Sequence, residues 1–446
     1  MKLLILIIAN DDIPLYIKLQ DTWRERLKKD INIDYYFIKA NPSLSQDIEI
    51  SNDTIFVKCE ENLNPGILIK TIKSIQYCYT EYDFVLRTNL SSFYIPEKLY
   101  SYLLDKPHEQ FYHACIGTHN GIRFGSGCGF ILSKDVCELL TTIDINSPQH
   151  YLDDVYIAQF LANNGIKCTP CKRVDIVQNG EQREIQNTIK SIVEDNDLFH
   201  VRIKINDRNK EPFIHRILNN TFIKHKKVAI TFASENMKNT LSRFKQELVN
   251  SKSFDEVYAF TESDFEDDFN PHLDFVKNNK RGFGYWLWKP YFIKKMLDKL
   301  DYGDTLVYAD AGCTLSSSPN ELINKCIMSE YGIFANPNCI IKDYTKMDTF
   351  EACGVSFNDY KDKWMVEAGR QIIHKREHTV NLINKWWDIC IKDNYHYIDD
   401  TPSIKQNDVR FQDHRHDQSI YTLLFHKLGG HPVNYSGIID ATRLRY

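Results

Sequence analysis

The chain has 446 residues, of which 43% are hydrophobic, 13% aromatic and 26% charged, a globular composition long enough for two ordinary domains or one large one. Its 55 Lys and Arg against 60 Asp and Glu leave a formal net charge of -5, which argues against a general nucleic-acid binder. No apolar run approaches the ~20 residues of a membrane-crossing helix. The opening MKLLILIIAN passes directly into Asn10, Asp11 and Asp12 without a small-residue cleavage site, so a buried first strand and a cytoplasmic protein are expected.

In chain order, KLLILIIA, IDYYFIKA, DTIFVKC and FVLRT read as strands, and PLYIKLQDTWRERLKK and GILIKTIKSIQYCYTEY read as amphipathic helices among them. This alternation predicts a mostly parallel sheet with helices on its faces. After residue 225 the rhythm restarts. KKVAITFAS is a new first strand, MKNTLSRFKQELVNS a helix, FDEVYAFT a second strand and DTLVYAD a later one. Two tandem α/β domains are therefore expected over 1–200 and 226–446, with the basic segment 201–225 as a linker. The 12 cysteines are scattered in mostly apolar surroundings, as buried thiols of a reducing compartment are. CTPC, Cys168 to Cys171, lacks a second pair or a histidine at zinc spacing and is set aside. Ligands of open α/β sheets bind beyond the carboxyl ends of the strands, so sites are expected in the turns after FVLRT and LVYAD.

Five motifs of the first domain occur in order: QDTWRE, NLNPGILIKT, DFVLRTNLSSF, GSGCGFILS and LDDVYIAQFLANNGI. Together they resemble RETW, NLTLKT, FVLKTDDDVF, SGGGYVLS and EDVYVG of the β-1,3-glycosyltransferase family that includes fringe. The resemblance covers most of residues 1–180 and implies a GT-A fold, a nucleotide-sugar donor and inversion at the anomeric carbon. Asp154 matches the family's catalytic aspartate, the base that takes the acceptor hydroxyl's proton, and Asp153 adjoins it. Read alone, the Asp pair is better taken as the cap of a helix starting at Val155; the flanking GSGCGF and ANNGI turn the reading toward catalysis. Gly127, Cys128 and Gly129, a glycine-rich turn before FILS, match a turn that lies beside both sugars in the family. Asn89, Leu90 and Ser91 stand where the family has its three metal-binding aspartates, and Asn and Ser are poor ligands for Mg²⁺ or Mn²⁺. Arg87 and Lys70 are then the groups expected to hold the diphosphate, near Asn89 and Ser91. Two readings stay open: a metal-independent transferase, or a domain that has lost donor chemistry.

In the second domain RGFGYWLWKPYFIKKML, GDTLVYADAGCTLS, YTKMDTF and FQDHRHDQSIYTLLFHKLG resemble GYWLWKP, YLDAGC, KRD and HRHDQS of GT-A-like domains in polysaccharide-synthesis proteins. Asp310 ends an apolar strand, and the small Ala311 and Gly312 after it permit close approach of a ligand. The HRHD cluster, with His414, Asp413, His416 and Asp417, opens an apolar helical run. Asp417 is the expected catalytic or sugar-binding carboxylate, with Gln418 beside it. Asp310 and His416 are expected as ligands of Mn²⁺ or Mg²⁺, and Asp348 of YTKMDTF as a donor contact. Trp288 and Lys289 either stack on a base or sugar and meet phosphate, or form core and helix start.

The reading that joins these motifs is an α/β chain of two tandem GT-A-like, Rossmann-like domains acting as a bifunctional glycosyltransferase. It would move hexosyl or N-acetylhexosaminyl groups from nucleotide-diphosphate sugars to a glycan or glycoconjugate, with no nucleic-acid partner and no transmembrane segment. The alternative is one active C-terminal transferase domain fused to a catalytically dead glycan-binding domain.

Overall fold

Six apolar residues in succession, Leu3–Ile8, form β1, a strand buried along nearly its whole length, as such an unbroken run requires. The computed structural model describes residues 1–27, 32–119, 121–146, 151–178 and 180–443, and the chain divides into the units Met1–Ile223 and Lys224–Tyr446. Among the described residues no helix is long and apolar enough to cross a membrane.

The first unit continues with β2 (Ile33–Ala40), β3 (Ile48–Ser51), β4 (Thr54–Val57), β5 (Phe84–Asn89), β6 (Ser92–Tyr94), β7 (Tyr112–His119), β8 (Ile122–Ser133), β9 (Cys168–Pro170), β10 (Val174–Gln178) and β11 (His200–Ile205). Eight strands form one sheet in the order β3-β4-β2-β1-β5-β8-β7-β9. β1 runs parallel to β2 and β5, while β8 is antiparallel to both β5 and β7. The sheet is therefore mixed rather than mostly parallel, because β7 and β8 follow each other too closely for a crossover helix. The expected glycine-rich turn before FILS is absent. Gly125 to Ser133 belong to β8, with Thr88 opposite Gly129. Glycine is needed at 129 because a Cβ there would overlap the Tyr94 hydroxyl.

The segment expected as a basic linker is folded into the first unit. β11 pairs with β6 and β10, and the helix Glu211–Phe222 starts with Pro212 in its first turn, a position where the missing N–H does no harm. Ile203, Ile205, Ile214 and Leu218 are buried with Phe93 and Val201 in a cluster of their own. The apolar positions recur at strand and helix spacing while Lys204, Arg208 and Lys210 are exposed, so charge alone misjudged the segment.

The second unit contains β12 (Lys227–Phe232), β13 (Glu256–Phe260), β14 (Thr305–Ala309), β15 (Thr314–Leu315), β16 (Ile333–Ile340), β17 (Trp364–His374) and β18 (Ile439–Asp440). Its main sheet has the order β13-β12-β14-β17-β16. The first three strands are parallel and the last two antiparallel. This repeats the order and direction of β2-β1-β5-β8-β7. In each unit a helix packs against the fourth of these strands: Asp153–Asn163 on β8, and Asp417–Leu428 on β17.

A folded helix at 211–222 makes Leu218, which is fully buried, a core residue. Leu218→Ala is expected to destabilise the first unit by about 2–5 kcal/mol in urea unfolding. A solvated linker would lose nothing measurable.

Candidate active site

In the second unit β14 delivers Asp310 to the sheet's carboxyl edge. Its amide donates to the Gly369 carbonyl at 2.9 Å, and its carboxylate Oδ1 accepts the Tyr308 hydroxyl, the alternation of the strand having placed both side chains on one face. The Asp310 side chain is 42% exposed. Gly369, on β17, permits the arrangement, since a Cβ there would lie 2.5 Å from Asp310 Oδ2. Neither Tyr308 nor Gly369 was singled out from the sequence, although an isolated glycine inside a strand run signals close approach.

Lys289 lies in the first turn of the helix Trp288–Lys299 and is buried. Its Nζ stands 3.4 Å from Asp310 Oδ1 and 3.9 Å from Asp417 Oδ2. Burial presses its pKa down, but Asp310 and Asp417 outweigh burial and hold it raised. Asp417 begins its helix, buried, and its carboxyl is pushed up to about 7. Burial is the main cause, opposed by Lys289 and reinforced by Asp310. The expected stacking face of Trp288 is not available: the ring is buried against Phe232 at 4.2 Å between centroids, and its Nε1 donates to the Gly282 carbonyl.

Three successive side chains at the start of this helix carry buried atoms without hydrogen-bond partners: His416 Nε2, Asp417 Oδ2 and Gln418 Nε2. His416 Nδ1 donates to the Ile398 carbonyl at 2.7 Å, and burial lowers the ring's pKa. The neutral imidazole therefore leaves Nε2 as a bare acceptor. The orphan set is two acceptors and one donor. His416 also has a left-handed backbone, φ 53 and ψ -126, a region that L side chains enter only when held there. Its ring is stacked on Tyr285 at 4.8 Å and lies 5.3 Å from Trp286. Those two rings end a run from Gly282 to Trp286 in which every φ is positive.

The segment before the helix is pinned from several sides. Arg281 bridges Asp400 and Asp413, each at 2.8 Å, and the Tyr285 hydroxyl donates to Asp400. His414 Nε2 contacts the Tyr397 carbonyl at 2.8 Å. Asp348, expected to meet the donor, binds this segment instead: it accepts from the Ile404 and Lys405 amides at 2.6 and 2.9 Å and pairs with His396 at 2.9 Å. Ala311 and Gly312 turn their carbonyls to Arg243 and Thr442.

The first unit assembles the equivalent groups and satisfies them. Arg87, on β5, pairs with Asp153 and donates to the Gly127 carbonyl at 2.5 Å. Burial raises the pKa of Asp153, Arg87 opposes it, and Asp154 adds to it. Asp154 is half-buried and accepts from the Gly127 amide at 2.8 Å and the Val155 amide at 2.9 Å. Lys70 is buried against Glu61 at 2.7 Å. Both cations expected to hold a diphosphate are thus committed to carboxylates. Asn89 accepts from Ser92, Ser91 donates to Glu211, and the Cys128 carbonyl accepts from Thr88 and Ser92.

The expected Mn²⁺ or Mg²⁺ would meet the Lys289 ammonium between Asp310 and Asp417. Among the described residues no three His, Cys, Asp or Glu side chains converge on a metal position. His416 Nε2 has Asp400 as its nearest acid, at 3.9 Å, and the Lys289 ammonium bridges Asp310 and Asp417. Two unit charges of like sign about 4 Å apart repel by about 4 kcal/mol at an effective dielectric near 20, and a divalent ion by about twice that.

No protein-family model and no curated protein matches the chain. Among solved structures it is similar to the galactosyltransferase LgtC in complex with donor and acceptor sugar analogues, at 14% identity and TM-score 0.27 over 44% of this chain and 70% of that one. An active-site mutant of LgtC gives 13% and 0.27 over 46% and 87%, and apo mouse xyloside xylosyltransferase 1 gives 10% and 0.26 over 47% and 84%. These structural neighbours are glycosyltransferases. Overlaps so partial leave the chemistry of this chain to its own residues.

A carboxyl whose folded-state pKa lies above its unfolded value binds more protons folded than unfolded, so it lowers stability as pH rises from about 4 to about 7. Asp417→Asn is therefore expected to melt higher than the parent protein at pH 8 by a few kcal/mol equivalent. The gap should close toward pH 4 in parallel melting curves.

Proposed function

We propose that this protein is a glycosyltransferase whose sugar-transfer chemistry is centred in its second unit. The observation that carries the reading is the orphan set at His416, Asp417 and Gln418. Buried polar atoms are normally partnered, and two acceptors beside one donor call for a ligand rich in hydroxyls, which both donate and accept. An anion alone would meet Asp417 unfavourably. The YADAGC and HRHDQS motifs that surround these residues support the same reading.

The chemistry assigned to these groups is transfer from a nucleotide-diphosphate sugar. Asp417 takes the proton of the acceptor hydroxyl as its oxygen bonds to the anomeric carbon. The bond from that carbon to the diphosphate breaks, and the nucleoside diphosphate leaves with the electron pair. A carboxyl pushed up to about 7 exchanges a proton readily at neutral pH. Asp310, partly exposed beside Lys289, accepts from a ribose or sugar hydroxyl. His416 Nε2 and Gln418 Nε2 orient further hydroxyls. The first unit, in which the groups around Asp153 and Asp154 are hydrogen-bonded among themselves, fits a glycan-binding part better than a second donor site. The bifunctional alternative is favoured by one observation: Asp154 remains half-exposed and is oriented by the Gly127 amide, as a base would be.

Transfer and donor hydrolysis over a panel of nucleotide sugars separate the readings. Asp417→Asn is expected to lower kcat by about 10²–10⁴-fold, the usual contribution of a general base, and Asp154→Asn by less than about threefold, a glycan-binding residue having no share in that term. Loss with Asp154→Asn alone would overturn the assignment to the second unit, and loss with both would favour the bifunctional reading.

A further inference from the structure

We infer that in the second unit the Lys289 ammonium takes the place of a divalent cation, so that the nucleotide-diphosphate donor binds and reacts without metal. The inference rests on the proposed sugar-transfer reading and adds the identity of the counter-ion. Lys289 is 4% exposed, yet it touches both carboxylates, at 3.4 Å to Asp310 and 3.9 Å to Asp417. An ion held by that pair would have to displace it. The other cations of this unit named above or lying close by are held elsewhere: Arg281 by Asp400 and Asp413, Arg370 by Glu367, and Arg243 by Glu247.

Helix physics gives no reason for a lysine at this position. Lys289 is the second residue of its helix, where the positive end of the helix dipole disfavours a cation, and burial disfavours it again. The two acids are what retain it there. An ammonium has three N–H donors; Asp310 Oδ1 lies at 3.4 Å, and Asp417 Oδ2 at 3.9 Å is beyond hydrogen-bond distance. Donors are thus left for a phosphate oxygen. The rings of Trp288 and Tyr308, whose centroids lie 5.4 and 5.6 Å from Nζ, stand within cation–π range of the ammonium.

The test is calorimetric titration of the whole protein with UDP, GDP, ADP and dTDP, once in EDTA and once in excess Mn²⁺. At least one diphosphate is expected to bind in EDTA with an affinity within about threefold of that in Mn²⁺. Lys289→Met should weaken it by about 10–100-fold, as loss of a charge-assisted hydrogen bond does, with no rescue by Mn²⁺. Lys289→Arg should retain most of the affinity. Because Lys289→Met leaves the buried Asp417 facing Asp310 without the cation between them, the double variant Lys289→Met/Asp417→Asn, checked by its melting curve, supplies a folded protein without the ammonium. Binding that requires Mn²⁺, or EDTA-resistant binding unchanged in both Lys289→Met variants, would overturn the inference while leaving sugar transfer standing. If no diphosphate binds under either condition, the sugar-transfer reading falls, and this inference with it.

Discussion

A buried aspartate in the first turn of a helix, neutralised by a buried cation, is the interaction around which each unit's site is built. A charge removed from water is tolerated only when paired and hydrogen-bonded, so the aspartate and its cation constrain every element that carries them. In the first unit Asp153 and Arg87 tie the helix on β8 to β5. In the second, Asp417 and Lys289 tie the helix on β17 to another helix, and Asp310 joins them from β14. The shared strand order explains why both aspartates sit at corresponding places, while their cations come from different elements.

The two pairs differ in what they leave over. Arg87 divides its fork between Asp153 and the Gly127 carbonyl, and its neighbours are hydrogen-bonded in turn. At Lys289 the pairing is looser, and Asp417 and its two chain neighbours each keep a polar atom without a hydrogen-bond partner. An unsatisfied buried atom costs roughly 1–3 kcal/mol. A surface that keeps three in a row, beside a histidine in a left-handed backbone, has given up stability where a ligand would restore it. The segment from Lys392 to His416 has little regular structure, and its ordered side-chain anchors hold that costly arrangement in place. Asp348 serves this purpose by binding the Ile404 and Lys405 amides.

The strands and most helices were legible from apolar periodicity, because burial on one or both faces imposes it directly. The segment 201–225 was misjudged because its charges are a property of the outward positions, whereas Ile203, Ile214 and Leu218 carry the information about folding. Among the site residues, Asp310, Lys289, His416, Asp417 and Gln418 were readable as candidates from their motifs. Their partners were not. Gly369 and Tyr308 gained meaning only when β14 and β17 were paired, and the alternatives left open at Trp288 narrowed to the core one when its ring met Phe232.

The sequence by itself determined two α/β units, the strand ends that carry the chemistry and the polar residues gathered there, since each follows from local pattern. Only the tertiary structure decided which charges cancel. Arg87, Lys70 and Lys289 are all lysines or arginines near an apolar strand or helix, and nothing local says which acid lies against each of them. That depends on Asp153, Glu61, Asp310 and Asp417, which the chain brings in from other elements, because electrostatic pairing acts through space rather than along the sequence.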